Sequence, residues 1–232
     1  MLKVEGIHAY YGKSHVLQGV SLEVRDGQVV GLLGRNGVGK TTTLRSIMKL
    51  TPPRQGRVLL GSTVLSDLSP YQIPRQGVGY VPQGRQIFPK LTVRENLEIG
   101  ILKRGGRSGL DEVYRLFPWL AERRNQLGGT LSGGEGQMLA IARCLVTQPR
   151  VLLLDEPTEG LMPMMVTQIR NQIKAINQSG VSLLLVEQNL KTALDLCDRI
   201  YPMEKGVITY EGKATELRND KTTLRRYLGV SA

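Results

Sequence analysis

Residues 34 to 41 read Gly34-Arg35-Asn36-Gly37-Val38-Gly39-Lys40-Thr41, and Thr42 follows. The spacing is Gly-x-x-x-x-Gly-Lys-Thr. Before it, Val29 to Leu33 is an uninterrupted apolar run; after it, Leu44, Ile47 and Met48 recur at helical spacing until Pro52-Pro53 closes the segment. Strand, glycine loop and helix therefore follow in the order of a phosphate-binding loop. The glycines let successive backbone N–H groups turn inward on a phosphate that the positive end of the helix also favours. Lys40 is placed to reach the β- and γ-phosphates, Thr41 to hold Mg²⁺, and the whole stretch from Gly34 to Thr42 is the candidate nucleotide-contacting surface.

A second feature lies far downstream. Val151 to Leu154 is apolar and ends in Asp155-Glu156, which puts one carboxylate at the end of a buried strand and another beside it. Phosphoryl transfer depends mainly on positioning and charge stabilisation. Asp155 is thus the candidate organiser of Mg²⁺, and Glu156 the candidate group that orients or deprotonates the attacking water.

Around these motifs the chain alternates between strand and helix patterns. Val20, Leu22 and Val24 alternate, Asp26-Gly27 reads as a tight turn, and an antiparallel hairpin with the strand from Val29 is expected. Residues 57 to 65 give a short strand pair around Gly61, and Val78 to Val81 a strand stopping at Pro82-Gln83. From 84 to 149 the character is helical. Thr92-x-x-Glu95 and Ser132-x-x-Glu135 are capping boxes; Val113, Leu116, Phe117 and Leu120 form one apolar face, broken or bent at Pro118. Then Val166, Ile169, Ile173 and Ile176 stripe a helix, Val181 to Val186 is a strand, Leu190 to Leu196 a helix, and Ile200 to Tyr210 a hairpin. Continuous apolar strands alternating with helices indicate an α/β fold with a mostly parallel sheet buried on both faces.

Composition narrows the class. The 232 residues are 41% hydrophobic and 22% charged, ordinary globular values. No stretch approaches the roughly 18 to 20 apolar residues of a membrane span, and the N-terminus lacks a signal-peptide core. A cytoplasmic chain is expected. Cys144 and Cys197, far apart, read as reduced buried thiols, and His8 and His15 are given no metal role. The net charge of +11 suits an anionic partner. Its basic residues are scattered, with short clusters at Lys103-Arg104, Arg123-Arg124 and Arg225-Arg226, and aromatics are only 5%, so a nucleic-acid platform is not expected.

Leu131-Ser132-Gly133-Gly134-Glu135 does not belong to a generic phosphate-loop enzyme. Ser-Gly-Gly at a helix start is an anion site without a lysine of its own, and it needs a phosphate from elsewhere. With the loop at 34 to 41 and Asp155-Glu156, it makes the whole chain resemble the ATP-binding cassette family. That resemblance implies ATP and Mg²⁺ as cofactors, and a RecA-like core with an antiparallel β subdomain and an inserted α-helical subdomain. It divides the single domain of residues 1–232 into a core of 1–83 and 150–232 and a helical subdomain of 84–149. It further implies a head-to-tail pair of cassettes in which Ser132, Gly133, Gly134 and Glu135 of one close on the γ-phosphate held by the other. By the same resemblance Tyr11 stacks on adenine, and Gln83 contacts Mg²⁺ and water.

Two positions depart from the family pattern. The usual switch histidine is Gln188, in Val-Glu-Gln188-Asn, and a usual aspartate falls on Met162. A glutamine amide hydrogen-bonds a γ-phosphate but takes no proton, a loss of about 1 kcal/mol and hence several-fold in rate. The chain is similar to the smaller ATPase subunit of bacterial importers of branched-chain amino acids and of urea. Gly-Arg-Asn-Gly-Val-Gly-Lys, Val-Pro-Gln83-Gly-Arg and Glu-Pro-Thr-Glu159-Gly favour the urea branch. The implied partners are a second cassette, a paralogue or a copy, transmembrane permeases and, indirectly, a periplasmic solute-binding protein. The implied location is the inner face of the plasma membrane. Branched-chain amino acid import, a cassette ATPase acting on nucleic acid, and a cassette that only completes a partner's site stay open.

Overall fold

The computed structural model describes residues 1–101 and 107–219. The clusters Lys103-Arg104 and Arg225-Arg226 lie outside them. The chain begins with β1 (Leu2–Tyr11) and β2 (Ser14–Val24), then β3 (Val29–Leu33), the glycine loop and α1 (Lys40–Ile47). Next come β4 (Gln55–Leu60), β5 (Thr63–Val64) and β6 (Val78–Val81). Four helices follow, α2 (Val93–Ile101), α3 (Arg107–Leu116), α4 (Pro118–Glu122) and α5 (Gly133–Leu145). The chain then runs through β7 (Val151–Asp155), α6 (Pro163–Gln178), β8 (Ser182–Glu187), α7 (Leu190–Leu196), β9 (Arg199–Glu204), β10 (Val207–Ile208), β11 (Gly212–Lys213) and α8 (Ala214–Asn219).

Two sheets form. One is antiparallel, in the order β2-β1-β4-β5; the other runs β10-β9-β3-β8-β7-β6, with β11 also on β9. The five strands from β9 to β6 are mutually parallel. Period-two alternation sends Val30 and Leu32, Val151 and Leu153, and Leu184 and Val186 towards the antiparallel sheet and α1. Their neighbours Val29 and Leu33, Leu152 and Leu154, and Leu183 and Leu185 face the helical side of α5, α6 and α7. A strand sandwiched in this way must be apolar at every position, which is why these segments read as unbroken runs.

The expected hairpin across Asp26-Gly27 does not form. β2 pairs with β1, turning at Gly12-Lys13, and the Asp26-Gly27 turn carries the chain from one sheet to the other. β3 is buried at all five positions and takes parallel partners on both edges, whereas β2 is buried on one face only. Helix α1 also stops before Pro52. Leu44 O accepts from Met48 N–H and Ser46 O from Lys49 N–H, and Lys49 adopts a φ of 56°. On α6 the buried stripe is Met165, Ile169, Ile173 and Ile176, with Val166 at its edge.

Other expectations hold. Pro118 opens α4 at its first turn, so the break is a new helix start, and Val113, Phe117 and Leu120 are fully buried. Cys144 and Cys197 are free, Cys197 buried as expected and Cys144 half-buried, and each packs on a strand glycine: a Cβ at Gly79 would lie 2.7 Å from Cys144 Sγ, one at Gly31 2.8 Å from Cys197 Sγ. Burial pushes the Cys144 thiol up to about 12 and the Cys197 thiol up as well, so neither is a nucleophile at neutral pH. His8 Nδ1 and His15 Nε2 do meet, at 3.0 Å, in a stack that Tyr10 and Arg54 extend.

Candidate functional site

Register assembles the site. Leu33 lies opposite Glu187, Asp155 opposite Val186, and Val81 opposite Leu154. The glycine loop, Gln83, Asp155-Glu156 and Gln188 therefore leave the sheet at the same edge, the carboxyl ends of parallel strands, where α/β sheets carry their ligands.

The loop is shaped for an anion. Gly39 has φ 112°, and a Cβ there would lie 2.8 Å from Leu17 Cδ2, so both backbone and packing demand glycine. No side chain caps α1, and no acid lies in its first turn. Its leading N–H groups thus face the loop without a side-chain acceptor, ready for phosphate oxygens. Arg35, Asn36 and Gly37 form the exposed rim, Gly34 and Val38 are half-buried, and Thr42 is buried beneath.

Lys40 Nζ donates to Gly34 O at 2.9 Å and Arg35 O at 3.0 Å, and lies 3.0 Å from Glu156 Oε1. All three of its donors are thereby engaged. Glu156 sits just past β7 with φ 46°, its N–H donating to Val186 O at 3.0 Å. Asp155 is buried, and both its oxygens accept: Thr41 Oγ1 donates at 3.0 Å and Tyr80 OH at 3.2 Å. Burial raises the Asp155 carboxyl above its usual range, partly offset by those two hydrogen bonds. Burial, and the charge of Asp155, likewise push the Tyr80 hydroxyl up. A carboxylate and a hydroxyl oxygen held together suit a small hard cation such as Mg²⁺.

Gln83 Nε2 donates to Glu159 rather than to Asp155. With Arg85, Gln137 and Glu156, these two line a cleft of about 520 Å³. Gln188 is exposed at the mouth of the site, and Met162 caps α6 while largely exposed. Tyr11 is also exposed, its hydroxyl 3.2 Å from Thr51 Oγ1. Burial opposes its ionisation, but hydrogen bonds with Thr51 and Thr42 and the charge of Arg45 outweigh it, lowering the phenol.

The Ser132-Gly133-Gly134-Glu135 stretch has other neighbours. Ser132 caps α5, and Glu135 completes the box: Ser132 N–H donates to its carboxylate at 2.8 Å, and its own N–H donates to Ser132 Oγ at 3.4 Å. The box occupies two of the donors that the sequence suggested were bare; the Gly133 and Gly134 N–H groups remain at the helix start. Arg123 pairs with Glu135 and lies over Trp119, so that basic cluster is partly committed internally. The Arg85 guanidinium lies on Gly133, and Met165 on Gly134.

Three participants were not singled out from sequence: Tyr80, Thr158 and Glu187. Thr158 Oγ1 donates to Glu187 Oε1 at 2.8 Å, and Glu187 is buried at the end of β8. The signal for Glu187 was available, since Leu-Leu-Leu-Val-Glu187 repeats the pattern of Leu-Leu-Leu-Asp155.

Comparison with known proteins places this geometry. A family model described as ABC transporter matches residues 17–159. The chain is 40% identical over 232 residues to a high-affinity branched-chain amino acid transport ATP-binding protein, BraG, of Pseudomonas aeruginosa, covering 99% of this chain and 100% of that protein. It is 35% identical to a probable branched-chain amino acid transport ATP-binding protein, LivF, of Archaeoglobus fulgidus, with 99% of both chains covered. It is 36% identical to the lipopolysaccharide export system ATP-binding protein LptB of Haemophilus influenzae, covering 99% of this chain and 97% of that one. Among solved structures, a dimeric ATP-binding cassette in a post-hydrolysis state bound to ADP and Pi superimposes with a TM-score of 0.81 at 28% identity, covering 92% and 99% of the two chains. The urea preference finds no support in these relatives. With a family model spanning more than half its length and a full-length relative at 40% identity, the chain belongs to the ABC transporter family and is one of its ATPase cassettes.

Proposed function

We propose that this ATPase drives a bacterial-type importer of branched-chain amino acids, working in the cytoplasm as a peripheral subunit on the inner face of the plasma membrane. The observation that carries this reading is the 40% identity to BraG along the whole chain. LivF supports it from a second organism. No helix among the described residues is long and apolar enough to cross a membrane; in this reading the path belongs to transmembrane permeases. A second cassette, a paralogue or a copy, completes the site, in keeping with the dimeric cassette it superimposes on. The periplasmic solute-binding protein acts on the permeases and not on this chain.

The residues divide the work. Backbone N–H groups from Gly34 to Thr42 and the Lys40 ammonium bind the phosphates, and Tyr11 stacks on adenine. Thr41, Asp155 and Gln83 would hold Mg²⁺, which when bound would neutralise charge on the transferring phosphate. Glu156 orients or deprotonates the attacking water, and the Gln188 amide hydrogen-bonds the γ-phosphate. Ser132, Gly133, Gly134 and Glu135 serve the nucleotide of the opposite cassette. The helical subdomain of residues 84–149 moves against the core of 1–83 and 150–232, and a groove near Gln83 to Phe88 passes the motion to the permease.

A strain deleted for this gene is expected to lose ATP-dependent leucine uptake and to regain it on complementation. Uptake of labelled urea lost in its place would restore the urea reading, and neither loss would move the subunit to another solute.

A further inference from the structure

Glu187 is 3% exposed and stands where an apolar residue would continue the run Leu183 to Val186. Its carboxylate is nevertheless engaged. Thr158 Oγ1 donates to it at 2.8 Å, and the backbone N–H groups of Asn189 and Gln188 favour its charged form. Thr158 lies two residues after Glu156, whose own N–H is bound by Val186 O. The segment carrying Glu156 is therefore pinned to β8 at two successive residues, Val186 and Glu187, and Gln188 follows the second pin directly in the chain.

A leucine at 187 would pack but could accept none of these bonds. A carboxylate has acceptor positions enough to join both loops. It does so against an opposing force, because burial and then the nearby charge of Glu156 disfavour its ionisation while the Thr158 hydroxyl and backbone donors favour it. Asn189, the next residue but one, caps α7 by accepting from Thr192 N–H at 2.9 Å, which fixes the far end of the same turn.

We infer that Glu187 is a positioning residue for ATP hydrolysis, a brace that ties the Glu156 loop, through Thr158, to the end of β8 from which the Gln188 turn departs. This rests on the proposed roles of Glu156 and Gln188. The effect falls on turnover more than on nucleotide binding, because the Glu187 carboxylate bonds Thr158 and not the glycine loop or Lys40.

The test uses the full chain carrying Glu187→Gln, Thr158→Val, Thr158→Ser or the double Glu187→Gln/Thr158→Val. Glu187→Gln keeps the volume but replaces one acceptor oxygen by an NH₂ donor, so the side chain can no longer accept with both of its terminal atoms. Glu187→Gln and Thr158→Val are each expected to lower kcat about ten-fold with ATP affinity within about two-fold, since small misplacement of reacting groups costs rate. Thr158→Ser restores the hydroxyl and turnover, and the double variant is no slower than the worse single. Independently of activity, amide exchange at Gln188 and Asn189 accelerates in Glu187→Gln while that of β7 is unchanged. Losses that multiply in the double variant, affinity falling in step with kcat, or unchanged kcat and exchange would overturn the brace. If Glu156→Gln collapses turnover while Glu187→Gln does not, only the brace fails; if Glu156→Gln is itself active, both readings fail.

Discussion

Lys40 Nζ and Glu156 Oε1 form an ion pair at 3.0 Å whose side chains are only 3% and 7% exposed. The lysine that meets phosphate and the carboxylate that meets water are thus joined to each other. Because the Lys40 donors are all engaged, phosphate can only be gripped by releasing partners, and releasing Glu156 frees the carboxylate for its own task.

A buried pair broken on one side leaves an uncompensated charge, typically about 3 to 5 kcal/mol. Lys40→Met should therefore lower the melting temperature, while Lys40→Met/Glu156→Gln, in which neither charge remains, should recover most of the loss. Thermal unfolding of the single and double variants without nucleotide measures this coupling. A double variant as unstable as Lys40→Met contradicts it.

The capping boxes give an acid-side signature. Backbone hydrogen bonding from Ser132, with the charge of Arg123, holds the Glu135 carboxyl below its ordinary 4.5; hydrogen bonds from Thr92 do the same for Glu95. A depressed folded pKa means the stabilisation is fully present above about pH 4.5 and fades as pH falls through the lower folded value. Glu135→Gln should flatten the dependence of melting temperature on pH in that window while changing stability at neutral pH by about 1 kcal/mol.

Gly134 is fixed by what lies over it. A Cβ there would approach Met165 Cε to 2.1 Å and Met165 Cβ to 3.0 Å. Gly134→Ala should destabilise the chain by about 1 to 3 kcal/mol through overpacking between α5 and α6. Adding Met165→Ala should relieve the clash, so the double variant unfolds at less denaturant than wild type but by less than the two single losses summed.

Gln188 lacks a titrating proton. Gln188→His is expected to raise turnover several-fold below about pH 6.5, where imidazole is charged, and to leave it near wild type above. Gln188→Ala should lower turnover at every pH. The pH–rate profiles of the two variants separate loss of the hydrogen bond from gain of the charge.

Much of this site was readable as local chemistry. The glycine loop, Asp155-Glu156 and both capping boxes depend on neighbours within a few residues, and the strand Val78–Val81 and helix Leu190–Leu196 fall where their patterns put them. What depends on register was not readable. Tyr80 meets Asp155 because β6 lies beside β7, and Asp26-Gly27 fails to make a hairpin because β3 finds two parallel partners from the far end of the chain. The Gln83 amide turns to Glu159, residues 76 apart in sequence that only the fold brings together.

The central claim, that Lys40 grips the phosphates while Glu156 directs water at them, is tested most directly by steady-state ATP hydrolysis of Lys40→Ala and Glu156→Gln beside wild type. Lys40→Ala should lose ATP binding and turnover together. Glu156→Gln should keep ATP binding and lose turnover by about 10² to 10⁴, the range for removing a general base. Wild-type turnover in both variants would contradict the account.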